Sequence, residues 1–195
     1  MLRFEQIEAR VLGARSVVVE GEIRADGALD AQLHGHTAAS VGNRMSAEWS
    51  GRLQGKSVDL HLQSDGRAMV LRSGAQEAHQ LTADETNHAL LVGLLRMGLY
   101  HNLARAAGLH GPDRDGGGVE RWIKQEYFHL VHVLGPPAPG AAILSFDVLA
   151  EGVPSTTTRI WLDPASGLPS RREQSYSLSS GLATVVETYA RFVIE

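Results

Sequence analysis

The run LTADETNHALLVGLLRMGLYHNLARAAGL, residues 81–109, decides the fold class of this chain. Thr82 followed three residues on by Glu85 is the reciprocal pattern that satisfies two orphaned N–H groups at a helix start. A helix is therefore expected over 83–107, with Gly108 suited to the left-handed residue just beyond its end. From Ala89 to Tyr100 nearly every direction around the axis carries an apolar group. A helix of that kind must be covered on several sides. Arg96 interrupts the run, which is well short of the roughly 20 apolar residues that cross a bilayer.

What surrounds the helix reads as strands. Phe4, Ile7, Val11 and Leu12 first mark one face of a short amphipathic helix over 3–14. From residue 17 to 73, stretches of period-two alternation, clearest in Met45, Ala47, Trp49 and in Val58, Leu60, Leu62, are divided by turn pairs such as Asp26-Gly27 and Asp65-Gly66. Five consecutive antiparallel strands result. A glycine-rich charged loop, 111–118, follows the helix. Five more strands lie within 124–194, split by the proline-rich stretch 135–140, where pairing stops. The last of them carries apolar groups on both faces, as a strand covered on both sides would. The expected architecture is one α+β domain over 1–195, a curved and half-open antiparallel barrel of about ten strands wrapping a central helix.

Composition narrows the function. The formal charge of −4 and the single adjacent basic pair, Arg171-Arg172, speak against nucleic acid. Such a pair normally sits on solvated surface. Cysteine is absent, which removes disulfides, thiolate metal sites and a cysteine nucleophile. Nothing in residues 1–15 has the apolar core of a signal peptide, so any export signal or lipobox lies outside this chain.

Chemical motifs are few. His34 and His36 share a strand face, but no third ligand is placed near them, and no metal is expected. His129 and His132 point to opposite faces unless a bulge intervenes, and His101 is placed to complement the C-terminal dipole of the helix. No Gly-x-Ser-x-Gly elbow is present, and the glycine run lacks the lysine of a phosphate loop. No catalytic residue and no cofactor are assigned. Met45, Trp49, Leu91, Leu94, Leu95, Met97, Tyr100, Phe146 and Trp161 are instead candidates to line an apolar cavity beside the helix, since methionine and aromatic groups suit irregular apolar guests.

The most specific stretch runs from Arg159 to Glu173: Arg-Ile-Trp-Leu-Asp-Pro-Ala-Ser-Gly-Leu-Pro-Ser-Arg-Arg-Glu. Locally it is a strand ending at Asp163, a proline turn reset at Gly167 and a return strand after Pro169. This hairpin resembles that of the outer-membrane lipoprotein carriers (LolA-like proteins) and related periplasmic lipid carriers, and the order of elements agrees along the whole chain. The resemblance implies an unclosed barrel with helical elements in its mouth and acyl chains held in the concavity. It further implies a monomeric, non-enzymatic carrier of lipid or acylated lipoprotein in the periplasm or cell envelope, working with membrane-associated proteins. Two alternatives stand beside it: an enzyme on the same scaffold acting on a small apolar or aromatic molecule, which would place Glu or His inside the concavity near Trp49 or Tyr100, and an interaction module without a ligand.

Overall fold

The structure is a computed structural model and describes residues 4–82, 85–106, 129–133, 143–150 and 153–195. In chain order the elements are α1 (Phe4–Leu12), β1 (Ser16–Gly27), β2 (Ala31–Ser40), β3 (Arg44–Leu53), β4 (Lys56–Asp65), β5 (Ala68–Ser73), β6 (Gln76–Leu81), α2 (Thr86–Ala106), β7 (His129–Val133), β8 (Ile143–Ala150), β9 (Val153–Leu162), β10 (Pro169–Leu178) and β11 (Gly181–Ile194). The strands form one antiparallel sheet in the order β6-β5-β4-β3-β2-β1-β11-β10-β9-β8-β7, which is not closed. Two meanders are joined at their first and last strands. Because β6 and β7 are the two edges, the chain between them must cross from one rim to the other, and α2 lies on that crossing.

The pleat sends alternate side chains inward. Val17, Val19, Ile23 and Ala25 on β1, Met45, Ala47 and Trp49 on β3, and Ala183 and Val185 on β11 are all buried, while their neighbours Glu20, Glu22, Glu48 and Thr184 face solvent. Strong curvature needs room on the inner face. Gly21 and Gly35 sit opposite each other on β1 and β2. A Cβ at Gly21 would lie 2.1 Å from the Thr188 carbonyl oxygen and one at Gly35 2.0 Å from that of Glu48, so only glycine lets the backbones bend together there. On α1, Phe4, Ile7 and Val11 face the core, and the ring of Phe4 packs 4.8 Å from that of Phe146.

Several expectations are corrected. The first half holds six strands instead of five: every residue of β6 is exposed, so it has no alternation to read. β11 is covered on one side only, with Thr188 and Ala190 in solvent. The cap at Thr82 and Glu85 is not formed. The Thr82 hydroxyl bonds that of Ser64 at 2.8 Å, Glu85 takes a left-handed φ of 65°, and its carbonyl accepts the first helical bond, from Ala89 N–H at 2.9 Å. α2 thus starts at Thr86, and the N–H of Asn87 is capped at 3.1 Å by Asn43 Oδ1 from the β2–β3 turn. The 111–118 loop and the 135–140 stretch lie outside the described residues.

The hairpin between β9 and β10 keeps its expected turn. Asp163 Oδ1 accepts the N–H groups of Ala165 and Ser166 at 3.1 and 2.7 Å and the Ser166 hydroxyl at 2.8 Å. The N–H of Ser166 above all, then its hydroxyl, holds the Asp163 carboxyl below the usual 3.8. The ladder resumes at Asp163 N–H to Leu168 O, 2.8 Å, and Leu168 seats in the core.

Candidate functional site in the helix-filled concavity

The central helix is not one rod. Gly98 has φ 85° and ψ 171°, a combination confined in practice to glycine, and it divides α2 into an arm over 86–97 and another over 99–106. Asn102 Nδ2 donates to Leu90 O at 3.1 Å. Twelve residues along a straight helix would separate those two by about 18 Å. The arms therefore double back on each other, and the long single helix expected from sequence is a tight hairpin. His101, expected at a helix C-terminus, stands near the start of the second arm.

A broken helix exposes orphaned carbonyls at the end of the first arm and orphaned N–H groups at the start of the second. Both are met by the inner face of β10 and β11. Arg172, 1% exposed, donates to Leu95 O at 2.7 Å and Arg96 O at 2.5 Å, with a longer bond to Leu94 O at 3.5 Å. The Tyr176 hydroxyl lies 3.0 Å from Gln174 Oε1 and 3.4 Å from Met97 O, so its single proton favours Gln174, with Met97 O the longer alternative. From the neighbouring strand Glu187, also 1% exposed and paired in register with Arg172, accepts Tyr100 N–H at 2.8 Å and the Tyr189 hydroxyl at 2.5 Å. A cation at the C-terminal end and an anion at the N-terminal end both complement the helix dipoles. Gln174 links the cluster to Thr156 at 2.7 Å. Burial, chiefly, drives the phenols of Tyr176 and Tyr189 upward, and the Glu187 charge adds to it, so both are neutral donors. Arg172 was expected on solvated surface as half of a basic pair. Arg171 is the one that faces out, its guanidinium 4.3 Å over the Trp161 ring.

Opposite this polar wall lies an apolar one. Between the arms and the inner face of β2 to β4 is a cavity of about 50 Å³ whose lining includes Ala39, Met45, Ala47, Leu60, Leu91 and Leu94, with Leu99 and Leu103 from the second arm. Its polar lining residues are Thr37 and Asn102, and none is charged. Ligand pockets commonly reach about 300–1,000 Å³, so the space is small with the arms in place. The first arm is pinned at both ends: at its start by Asn43, and at its far end by Arg172 and by a bidentate pair from Arg96 to Glu8 at 2.7 and 2.9 Å. The second arm meets the first through Asn102 and the wall through the Tyr100 N–H.

The nine residues expected to line a cavity fall into three places. Met45, Leu91 and Leu94 line it. Trp49, Leu95, Met97, Tyr100 and Phe146 are packed in the surrounding core, the Trp49 indole N–H donating to Thr37 Oγ1 at 2.9 Å. Trp161 lies between the buried Ile160 and Leu162, on the outer face of β9. The polar cluster of Arg172, Gln174, Tyr176, Glu187 and Tyr189 was missed. Its signal was parity: all five occupy the strand positions that alternate with solvent-facing ones and share their face with Ala183 and Val185.

Among the described residues no group of three or more His, Asp or Glu is placed to hold a metal ion, and no helix is long and apolar enough to cross a membrane. On β7 the register shifts between Leu130 and His132. No protein-family model matches the chain, and no curated protein matches its sequence. Among solved structures, the LolA superfamily protein NE2245 from Nitrosomonas europaea aligns with 98% of this chain and 91% of its own, at 10% identity and a TM-score of 0.39. LprF from Mycobacterium bovis aligns with 98% and 93% of the two chains at 12% identity and a TM-score of 0.36. MucB aligns with 98% of this chain but only 57% of its own, at 12% identity and 0.32. Likenesses this low do not say what the chain binds.

Proposed function

We propose that the protein is a non-catalytic carrier that takes an apolar molecule, a lipid or the acyl chain of a lipoprotein, between the second arm of α2 and the β2–β4 wall. The observation that carries this reading is the uncharged, leucine-rich cavity beside a helix hairpin whose two arms are held unequally. The second arm is the lid. Lifting the first would break the bonds from Arg172, each worth about 1.5–3 kcal/mol where a charge is involved. Lifting the second about Gly98 costs the Tyr100–Glu187 and Asn102–Leu90 bonds, fewer than hold the first, and exchanges Leu99 and Leu103 for ligand hydrocarbon, so that burial of about 25 cal/mol per Å² is kept. In this reading the chain is one domain, acts as a monomer in the cell envelope, and meets membrane-associated donor and acceptor proteins.

An enzyme on this scaffold has one observation in its favour, since a glutamate does lie inside the concavity and bonds the backbone of Tyr100. Its oxygens are spent on the Tyr100 N–H and the Tyr189 hydroxyl, and the cluster is no part of the cavity lining. Such a site holds a helix and offers no group to a substrate.

The test is native mass spectrometry of the protein purified without detergent, together with titration of a fluorescent fatty acid. A co-purifying lipid or saturable uptake with one site per chain is expected. Neither lipid nor uptake would remove the reading.

A further inference from the structure

One atom in the cavity is left without a partner. Asn102 is 8% exposed, and its Oδ1 is buried and receives no hydrogen bond. The orientation of the amide is fixed, because Nδ2 donates to Leu90 O at 3.1 Å and a flipped amide would set two acceptors face to face. A buried acceptor without a donor carries its full desolvation penalty, so native proteins leave few of them and those mark a missing partner. Glycine at 93 is what lets the amide settle against the first arm, since a Cβ there would lie 2.6 Å from Oδ1. Thr37, the other polar lining residue, accepts the Trp49 indole N–H at Oγ1 and retains its own hydroxyl proton to donate.

Resting on the carrier reading, we propose that this cavity is the head subsite of the ligand and that its occupant bears a hydroxyl on a hydrocarbon body, donating to Asn102 Oδ1. The chemistry selects among apolar ligands. A carboxylate has no proton to give and finds no cation in the lining, and stripping its water there would go uncompensated. A plain hydrocarbon end would leave Oδ1 as bare as it is now. A neutral alcohol satisfies it. The volume agrees: about 50 Å³ holds one or two water-sized groups, the size of a hydroxymethyl end, with the rest of the chain running under the second arm once it has closed and the Asn102–Leu90 bond has re-formed.

The experiment is displacement of the apolar probe N-phenyl-1-naphthylamine from the full chain by 1-decanol, decyl methyl ether and decanoate, on the natural protein and on Asn102→Leu. The comparison of ligands on the natural protein needs no variant to fold. We expect decanol to displace the probe at concentrations at least about tenfold below those of the ether and of decanoate, which corresponds to about 1.4 kcal/mol. Asn102→Leu should reduce that preference to near unity while still binding the probe. Equal displacement by alcohol and ether on the natural protein overturns the inference, leaves the carrier reading standing, and assigns the partner of Oδ1 to a water only. A protein that binds neither probe nor any of the three compounds overturns both.

Discussion

The coupling between the two opposite charges buried beside Gly98, which share no direct hydrogen bond, can be tested by a double-mutant cycle on Arg172 and Glu187. Arg172→Met removes the guanidinium from Leu95 O and Arg96 O and leaves Glu187, 1% exposed, as a buried anion facing no cation. Stripping one of two neighbouring buried charges leaves the other uncompensated, which costs about 3–5 kcal/mol. Set against a typical total of about 5–15 kcal/mol, that is a large share of the stability. Glu187→Gln keeps an oxygen for the Tyr100 N–H at 2.8 Å but loses the charge, and should cost about 1.5–3 kcal/mol. The two together leave no uncompensated charge. The double variant is expected to be more stable than the summed losses imply, by at least about 1.5 kcal/mol. Urea unfolding followed by far-UV circular dichroism measures all four proteins, and an unchanged slope confirms that the same surface is exposed in each. Losses that add to within about 0.5 kcal/mol would refute the coupling and reduce the cluster to independent hydrogen bonds.

Gly98→Ala should destabilise by more than the roughly 1–3 kcal/mol of a strained backbone, since its Cβ would also lie 2.5 Å from Glu187 Oε1 and 3.0 Å from Arg172 Nε; a urea midpoint equal to that of the natural protein would mean the break is not where the structure has it. Ala47→Val places two methyl groups toward the cavity of about 50 Å³ and should raise stability by about 0.5–2 kcal/mol while weakening probe uptake at least about tenfold. Stabilisation with uptake intact would put the ligand elsewhere. Asp163, with its carboxyl held below 3.8 by the Ser166 N–H, the Ser166 hydroxyl and the Ala165 N–H, contributes stability that is complete above 3.8 and is lost as the pH falls toward the depressed folded value. The advantage of the natural protein over Asp163→Asn is therefore level from pH 7 to about 5 and shrinks below 4, and a difference constant down to pH 2.5 would show that the charge plays no part.

The fold was legible where local chemistry and burial agree. Turn pairs separate the strands, alternation marks Met45 to Trp49, and the Asp163 to Gly167 turn is built from its own side chains, so no distant residue was needed to find it. The break at Gly98 was hidden for a physical reason. Both arms are apolar all round, so their periodicity carries no mark of the reversal, and Gly93 and Gly98 look alike although only Gly98 has a positive φ. β6 was silent because strand patterning reports burial, and β6 has none. Trp161 misled by its size: Ile160 and Leu162 take the inner positions and the largest ring of the trio is outside, under Arg171. Where the cavity lies was half legible. Helix residues such as Leu91 and Leu94 announced themselves, whereas Ala39, Ala47 and Thr37 make room by being small, a property with no apolar signature in the sequence.

The pairing of β1 with β11 sets the order in which this molecule can come into being. Val17 lies opposite Ile194, and Arg15 and Ser16 donate to the carbonyl of Glu195. The middle of the sheet is thus a contact between the earliest strand and the latest, about as non-local as the chain permits, and such contacts slow folding. A ribosome delivering the chain from its N-terminus can complete β1 to β6, but the seam that joins the two meanders must wait for the last fourteen strand residues, Gly181–Ile194. Until then the inward faces of β1 and β2 have no second wall, and α2 has neither Arg172 nor Glu187 to hold its turn. The nascent protein is an open half-sheet with its apolar side exposed until the last strand closes the seam.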